Sequence, residues 1–264
     1  MRLEEIGDSN IVLKIHEEKH EIVLFFALFE IKIPSQLCGK YSFAVNQSLS
    51  REEIMNLLNN IQLFIIKEKI KSKIIKKLYT EHEVTEVIKN RGFAGDFADC
   101  VVKQLRNEGL LDDPNYVKLV LETLNNELYG KYYIINYFKI KGISDELISK
   151  INFNDECELE KAKKYFESIQ NLFVSSNFAK QKKKIYDDMV KRGFTVDIIL
   201  KVLNGLKIDQ SIENERLKKD YEKAYARLSK TYSGYKLDTK IVNYLINIGY
   251  DYDKILKLFS KEDE

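Results

Sequence analysis

The sequence predicts a mostly α-helical protein in which four tandem three-helix repeats form an elongated, curved array behind a small N-terminal β-hairpin or sheet. Three observations predict this class. The 264 residues include only 2 prolines and 11 glycines, too few turn formers for an all-β sandwich. Apolar residues recur at helical spacing from about residue 50 onward. A glycine-centred turn also returns at a nearly constant interval, which is typical of repeat proteins.

The first part of the chain has the composition of strands. Residues 11–15, 21–33 and 40–45 are short stretches rich in β-branched and aromatic side chains, and Pro34 and Gly39 separate the last two. We therefore expect an antiparallel hairpin or a three-stranded sheet.

Helix-start signals take over at Ser50. Ser50 and Glu53 form a capping box, in which the hydroxyl accepts from the third backbone N–H and the Glu reaches back. Thr80 and Glu83 repeat this signature. Pro114 follows two acidic residues and suits the first turn of a helix, where its missing N–H costs nothing. Further N-caps are expected at Ser144 and Thr195.

The repeat is marked by Gly92, Gly142, Gly193 and Gly249, which lie 50, 51 and 56 residues apart. Each glycine follows a short helical pattern, precedes a second one, and is followed by an aromatic or aliphatic residue. Such a glycine after a helix supplies the left-handed backbone conformation that ends it. One unit cannot bury its own apolar face well, so neighbouring units are expected to stack.

This organisation divides the chain into five parts. They are an N-terminal β region at 1–49, a linker helix with repeat 1 at 50–112, repeat 2 at 113–157, repeat 3 at 158–209 and repeat 4 at 210–264.

Composition excludes several classes of protein. The 43 basic and 41 acidic residues give a net charge of +2, which excludes a uniformly basic nucleic-acid binder but not local basic patches. Cys38, Cys100 and Cys157 are widely spaced, which favours reduced thiols over a disulfide framework. The polar N-terminus is unlike a signal peptide. The most apolar run, 22–29, is far shorter than the ~20 residues of a membrane span. We expect a soluble, cytoplasmic protein.

The string from His16 to His20 matches the zinc-protease pattern HExxH. That chemistry needs a helix, so that two histidines four residues apart share a face. Here the string lies between two strand-like segments, and the only other histidine is His82. We favour a charged hairpin turn over a zinc site.

No phosphate-binding glycine loop and no nucleophile-elbow motif is present. Paired acids such as Asp187 and Asp188 are explained by helix capping and solvation. We therefore expect a non-enzymatic protein with no catalytic residue, no metal and no cofactor.

Basic clusters are the better indication of function. Solvated helix faces in a lysine-rich chain would explain them, and so would a discontinuous surface that tracks phosphates without reading sequence. Tyr132, Tyr133 and Tyr137 could likewise stack on bases or belong to the core. The candidate partner- or DNA-binding residues are Lys67, Lys69, Lys71, Lys73, Lys76, Lys77, Arg91, Lys131, Lys139, Lys141, Lys180, Lys182, Lys183, Lys184, Lys191 and Arg192.

Residues 79–113 contain a second helix centred on Glu83, a basic-Gly-Phe turn at 91–93 and a third helix that ends in Gly-Leu-Leu-Asp-Asp at 109–113. In these features the segment resembles the first repeat of the RecX family of RecA regulators.

The resemblance continues beyond this segment. A helix that begins at Pro114, a link that contains Gly130 and the turns at Gly142 and Gly193 are similar to the next two repeats of the family. Residues 41–45 and the capping box that follows them are similar to the extended Gram-positive type.

The match is good over residues 40–210 and looser in the C-terminal repeat. After the link to the second helix of repeat 2, this chain has Tyr132, Tyr133, Ile134 and Ile135 where the family is mostly basic. The segment 121–126 also lacks the arginines usual there. The resemblance therefore implies the fold of the family but not which residues contact DNA or RecA.

The resemblance implies a regulator that lies in the groove of the RecA–single-stranded DNA filament and inhibits ATP hydrolysis and strand exchange. The implied partners are RecA and single-stranded DNA, with double-stranded DNA as a further candidate. We expect a monomer and no membrane partner. The alternative is a helical-repeat protein that binds DNA or RNA without RecA.

Overall fold

The computed structural model describes residues 3–174 and 176–259. After a short 3-10 turn, the N-terminal region forms two small antiparallel sheets. Their strands are β1 (Ser9–Ile11), β2 (Lys14–Glu17), β3 (Glu21–Phe25), β4 (Glu30–Pro34) and, after the short helix α1 (Ser35–Cys38), β5 (Ser48–Ser50).

The larger sheet has the order β2–β3–β4, and β1 pairs with β5. Burial alternates along β4, where Ile31 and Ile33 point into the core, as the period of a half-buried strand requires. Ile54 and Leu57, from the helix that follows β5, belong to the same core. The expected small sheet is therefore confirmed.

Three details of this region differ from the expectation. Segment 11–15 is not one strand, because β1 ends at Ile11 and β2 begins at Lys14. Segment 21–33 is not one strand but two, because a turn at residues 26–29 separates β3 from β4. Segment 40–45 is not a strand at all: Tyr41 and Phe43 stack on each other with centroids 5.6 Å apart and pack against the core from a loop. β-propensity reports a fit to a half-buried surface, and a loop satisfies it here.

The His16–His20 string forms the predicted hairpin turn. His16 lies in β2, and the Glu18 N–H donates to the Glu21 carbonyl at 2.8 Å to close the turn into β3. Over the described residues, no group of three or more His, Cys, Asp or Glu side chains is placed to hold a metal ion.

The rest of the described chain is helical. The helices are α2 (Arg51–Ile74), α3 (Glu81–Lys89), α4 (Gly95–Asn107), α5 (Asp113–Asn126), α6 (Lys131–Ile140), α7 (Asp145–Ser149), α8 (Asp155–Ile169), α9 (Phe178–Lys191), α10 (Val196–Leu203), α11 (Gln210–Leu228), α12 (Gly234–Asn247) and α13 (Tyr252–Phe259). None of these helices is both long and apolar enough to span a bilayer.

The predicted N-caps are confirmed. Ser50 and Thr80 each accept from the N–H three residues on, and both capping boxes are complete. The side chains of Ser144 and Thr195 accept from the third N–H of α7 and α10. Side-chain oxygens at these positions satisfy N–H groups that the helix itself leaves unpaired.

The four repeat glycines end their helices as predicted, with φ of 85° at Gly92, 72° at Gly142, 91° at Gly193 and 102° at Gly249. At the last three turns, the N–H that follows the glycine donates back to the helix five residues earlier, as in a Schellman motif.

The chain divides into two compact units, Met1–Tyr116 and Val117–Glu264. The first holds the core of the sheets and a separate core formed by α2, α3 and α4. The second holds one core formed by α8, α9 and α10 and another formed by α11, α12 and α13.

Candidate functional site

The six lysines predicted on or near α2 fall into two sets. Lys67 and Lys71 bind Glu108 at the end of α4, at 2.8 and 2.6 Å. Hydrogen bonds from these two ammonium groups lower the pKa of the Glu108 carboxyl. Their first role is therefore to tie α2 to α4 inside repeat 1.

The other lysines of α2 face solvent. Lys69, Lys73 and Lys76 are exposed and lie four and three residues apart, so they share one face, which we call the α2 stripe. The backbone N–H of Lys76 donates to the Lys73 carbonyl, which continues the turn past the end of the helix. Lys77 is also exposed, and its Nζ lies 5.5 Å from the centroid of the Tyr79 ring.

The predicted lysines of α9 also form an exposed face. Lys180, Lys183 and Lys191, which we call the α9 stripe, lie on the side of the helix opposite the buried Ile185 and Met189. Lys182 is also exposed but lies off this face of the helix.

Lys184 is held locally. Its Nζ donates to Ser176 Oγ at 2.8 Å and lies 5.8 Å from the Phe173 ring centroid.

The predicted residues of repeat 2 are held by local contacts. Lys131 Nζ lies 5.5 Å from the centroid of Phe153, and Lys141 Nζ lies 5.7 Å from that of Tyr137. Lys139 is exposed and 3.8 Å from Asp145. This repeat presents no lysine stripe comparable to those of α2 and α9.

Arg91 and Arg192 occupy the same place in the repeat motif but differ in environment. Arg91 is exposed. The Arg192 guanidinium lies between two rings, 3.8 Å from the centroid of Tyr129 and 4.8 Å from that of Tyr165. It also donates to the backbone carbonyls of Glu127 and Leu128. Arg192 thus joins repeat 3 to repeat 2, a role that the sequence did not indicate.

The backbones of repeats 2 and 3 touch at the same place. The Gly130 N–H donates to the Arg192 carbonyl at 2.9 Å, and the Tyr132 N–H donates to the Gly193 carbonyl at 3.0 Å. A Cβ at Gly130 would lie 2.4 Å from the Gly193 carbonyl carbon, and a Cβ at Gly193 would lie 2.3 Å from the Tyr133 nitrogen. Only glycine allows this approach.

The tyrosines of α6 mostly serve packing. Tyr133 stacks on Tyr129 with centroids 3.9 Å apart and on Tyr137 at 6.4 Å. Tyr132 is 61% exposed. Of the two interpretations of these tyrosines, the contacts of Tyr133 and Tyr137 favour internal packing.

A recurrent contact that the sequence did not reveal links consecutive repeats. In each case a carboxylate from the first helix of one repeat accepts from the N-terminal N–H of the second helix of the preceding repeat. The pairs are Asp113 with Glu81 at 3.0 Å, Glu158 with Lys131 at 3.0 Å, and Glu213 with Phe178 at 3.1 Å. A carboxylate suits this position because helix N-termini carry partial positive charge.

Tyr165, whose ring the Arg192 guanidinium contacts, gives the fold a pH dependence. Burial, together with a hydrogen bond to Asp188 at 2.6 Å, raises the pKa of Tyr165 from 10.0 to about 12. The folded state therefore holds this proton more tightly than the unfolded state. The stability from this group is complete below pH 10 and is lost as the pH rises toward 12.

We expect the Tyr165→Phe variant to lose less stability than the wild type when urea unfolding is measured at pH 9.0 and again at pH 11.5. An equal loss in both proteins would contradict this assignment.

The chain was compared with known proteins by sequence and by fold. No protein-family model matches the chain. The chain is 29% identical over 186 residues to the regulatory protein RecX of Streptococcus agalactiae serotype III. The matched segment covers 68% of this chain and 70% of that protein. It is 25% identical over 223 residues to the regulatory protein RecX of Streptococcus thermophilus, with 82% and 85% covered. The fold matches a crystal structure of regulatory protein RecX with a TM-score of 0.62 at 17% identity, over 74% of this chain and 99% of that one.

Proposed function

The chain belongs to the RecX family, and we propose that it is a non-enzymatic regulator that binds the RecA–single-stranded DNA filament and inhibits ATP hydrolysis and strand exchange. It would act in the cytoplasm, as a monomer, in the groove of the filament.

The observation that carries this proposal is the division of the lysines between structural and free positions. Lys67 and Lys71 form ion pairs with Glu108. In contrast, no carboxylate within residues 3–174 and 176–259 pairs with the lysines of the α2 stripe or of the α9 stripe. Each compact unit therefore has an exposed row of lysines on a well-packed helix, and the face of α9 that carries its row also includes the exposed Asp187.

Rows of this kind suit a phosphate backbone read without regard to sequence. Each neutralised phosphate releases counterions, so such binding weakens steeply as salt is added. Two rows on one chain also add their strengths, because the second contact forms at a high effective concentration once the first is made. A regulator of a filament that forms on single-stranded DNA needs this kind of binding, since it must act on any sequence.

The test compares the RecA filament with bare DNA. Labelled oligo(dT) is titrated with the protein in the presence and in the absence of RecA and a slowly hydrolysed ATP analogue, and strand exchange is followed in parallel. We expect tighter binding to the filament and slower strand exchange. Equal or tighter binding to bare oligo(dT), with unchanged strand exchange, would instead support a nucleic-acid-binding protein that acts without RecA.

The α2 stripe yields a quantitative prediction. Changing Lys69, Lys73 and Lys76 together to Gln should reduce the slope of log K against log salt on single-stranded DNA by up to about 2, since each phosphate contact contributes about 0.7. All three side chains are exposed, so the melting temperature should be unchanged.

The matched control removes three exposed lysines that already have carboxylate partners. These are Lys32 with Glu21, Lys89 with Glu86, and Lys150 with Glu146. The control has the same change in net charge but should leave the slope within about 0.5 of the wild-type value. Equal slopes for the two triple variants would show that net charge, rather than the stripe, governs binding.

A further inference from the structure

The connection between α11 and α12 combines basic and aromatic residues at the surface of repeat 4. Residues 227–240 contain two tyrosines and one acid, Asp238. The basic residues of this segment are Arg227, Lys230, Lys236 and Lys240. Over the described part of the chain, none of the four has a carboxylate partner.

The two tyrosines of this segment have different roles. Tyr232 is half-buried and packs against the core of repeat 4. Lys236 Nζ and Lys240 Nζ lie 5.6 and 5.9 Å from the centroid of its ring. Tyr235, by contrast, is 87% exposed and is absent from that core. Its ring therefore contributes no core packing, while Lys236 follows it directly in the sequence and Lys240 lies five residues further along α12.

Tyr129 of repeat 2 shows what a tyrosine near the start of a second helix does when it serves the fold. Its ring is covered on one side by Tyr133 and contacted by the Arg192 guanidinium. Tyr235 lies just inside the second helix of repeat 4, but its side chain is 87% exposed, so its ring is not covered as that of Tyr129 is.

We propose that Tyr235, with Lys230, Lys236 and Lys240, is a contact site for single-stranded nucleic acid. An unpaired base would stack on the Tyr235 ring while the ammonium groups bind the phosphates on either side. Stacking on an aromatic side chain tolerates any base and is worth about tenfold or more in affinity per base. A duplex does not fit, because its bases are already stacked on one another. This inference rests on the function proposed above and adds which part of the chain holds the strand.

The absence of tryptophan from the chain allows a direct test. Tyr235→Trp places a single fluorescent indole at the proposed stacking position. Tyr252→Trp is the matched control, since Tyr252 is also in repeat 4 and 53% exposed but is flanked by Asp251 and Asp253. Each full-length variant is titrated with oligo(dT) and with a duplex of equal length, in the absence of RecA, after its melting temperature is shown to match the wild type.

We expect oligo(dT) to quench the indole at position 235 strongly, the duplex to quench it weakly, and the indole at 252 to respond to neither. Tyr235→Ala should bind oligo(dT) about tenfold more weakly than wild type. Changing Lys236 and Lys240 together to Gln should lower the salt slope by about 1.4.

Equal quenching at the two positions, equal quenching by duplex and single strand, or no quenching at 235 would each overturn the inference. The proposed function is judged separately, by strand exchange with the wild-type protein. Inhibition of strand exchange without quenching at 235 would leave the regulator proposal standing and remove only this site.

Discussion

Gly193→Ala is expected to lower the free energy of unfolding of the second unit by about 3 kcal/mol or more. The residue has a φ of 91°, a conformation that costs an L-residue about 1–2 kcal/mol. The added Cβ would also lie 2.3 Å from the Tyr133 backbone nitrogen. Relief of that overlap must separate two packed backbones, and overpacking of this kind costs about 1–3 kcal/mol more. Urea unfolding followed by circular dichroism measures the loss.

Gly92→Ala is the matched control for this prediction. Gly92 has nearly the same backbone conformation, with a φ of 85°, but a Cβ there would meet nothing within 4 Å. We expect a loss of only about 1 kcal/mol, from the backbone conformation alone. If the two variants lost equal stability, the result would contradict the close backbone contact that we assign between repeats 2 and 3.

Arg192→Ala is expected to destabilise the second unit by about 2–4 kcal/mol. The substitution removes charged hydrogen bonds to two backbone carbonyls and the contacts with the rings of Tyr129 and Tyr165. Arg192→Lys should recover only part of the loss, because an ammonium lacks the planar fork that both stacks and donates. Urea unfolding of the three proteins under one set of conditions makes the comparison.

The control is Arg91→Ala, at the same place in the motif of repeat 1. Because Arg91 is exposed, its loss should change stability by no more than about 0.5 kcal/mol. Affinity for single-stranded DNA should respond the other way, with a fall for Arg91→Ala that is not explained by unfolding. Equal destabilisation by the two alanine substitutions would refute the link between repeats that we assign to Arg192.

These pairs also show how far the sequence could predict the fold. Local signals were reliable: the capping boxes at Ser50 and Thr80 and the left-handed glycines at Gly92 and Gly193 depend only on residues within one helix and its ends. Patterns of this kind report backbone conformation and hydrogen bonding over a few residues. The hairpin at His16 was predictable for the same reason.

Contacts between repeats were not predictable in this way. The sequence treats Arg91 and Arg192 as equivalent, and only the packing of repeat 3 against Tyr129 separates them. Glu158 reads as an ordinary acid in a helical first turn, yet it is 3% exposed and caps the helix of a neighbouring repeat. Partners more than 25 residues apart leave no local pattern. The recurrence of Asp113, Glu158 and Glu213 in the first helices of repeats 2, 3 and 4 is the signal that an internal repeat alignment could have used.

The prediction of a strand at 40–45 was wrong for a related reason. Its alternation of aromatic and small residues is typical of a strand, but the segment that pairs with β1 is Ser48–Ser50.

The candidate site was predictable in outline and not in detail. Counting lysines located the basic helices. Which of these lysines are exposed depends on the helix face they occupy and on Glu108 at the end of α4, which pairs with Lys67 and Lys71. Tyr235 was missed because exposure, rather than residue type, distinguishes it from the packed Tyr133.

One measurement tests the regulator proposal most directly. RecA filaments are formed on single-stranded DNA, the chain is titrated in, and steady-state ATP hydrolysis is followed at constant salt. We predict that hydrolysis falls progressively as the protein is added, with a smaller fall for the Lys69, Lys73 and Lys76 triple variant. An ATPase rate that stays unchanged up to one chain per RecA protomer would contradict the account.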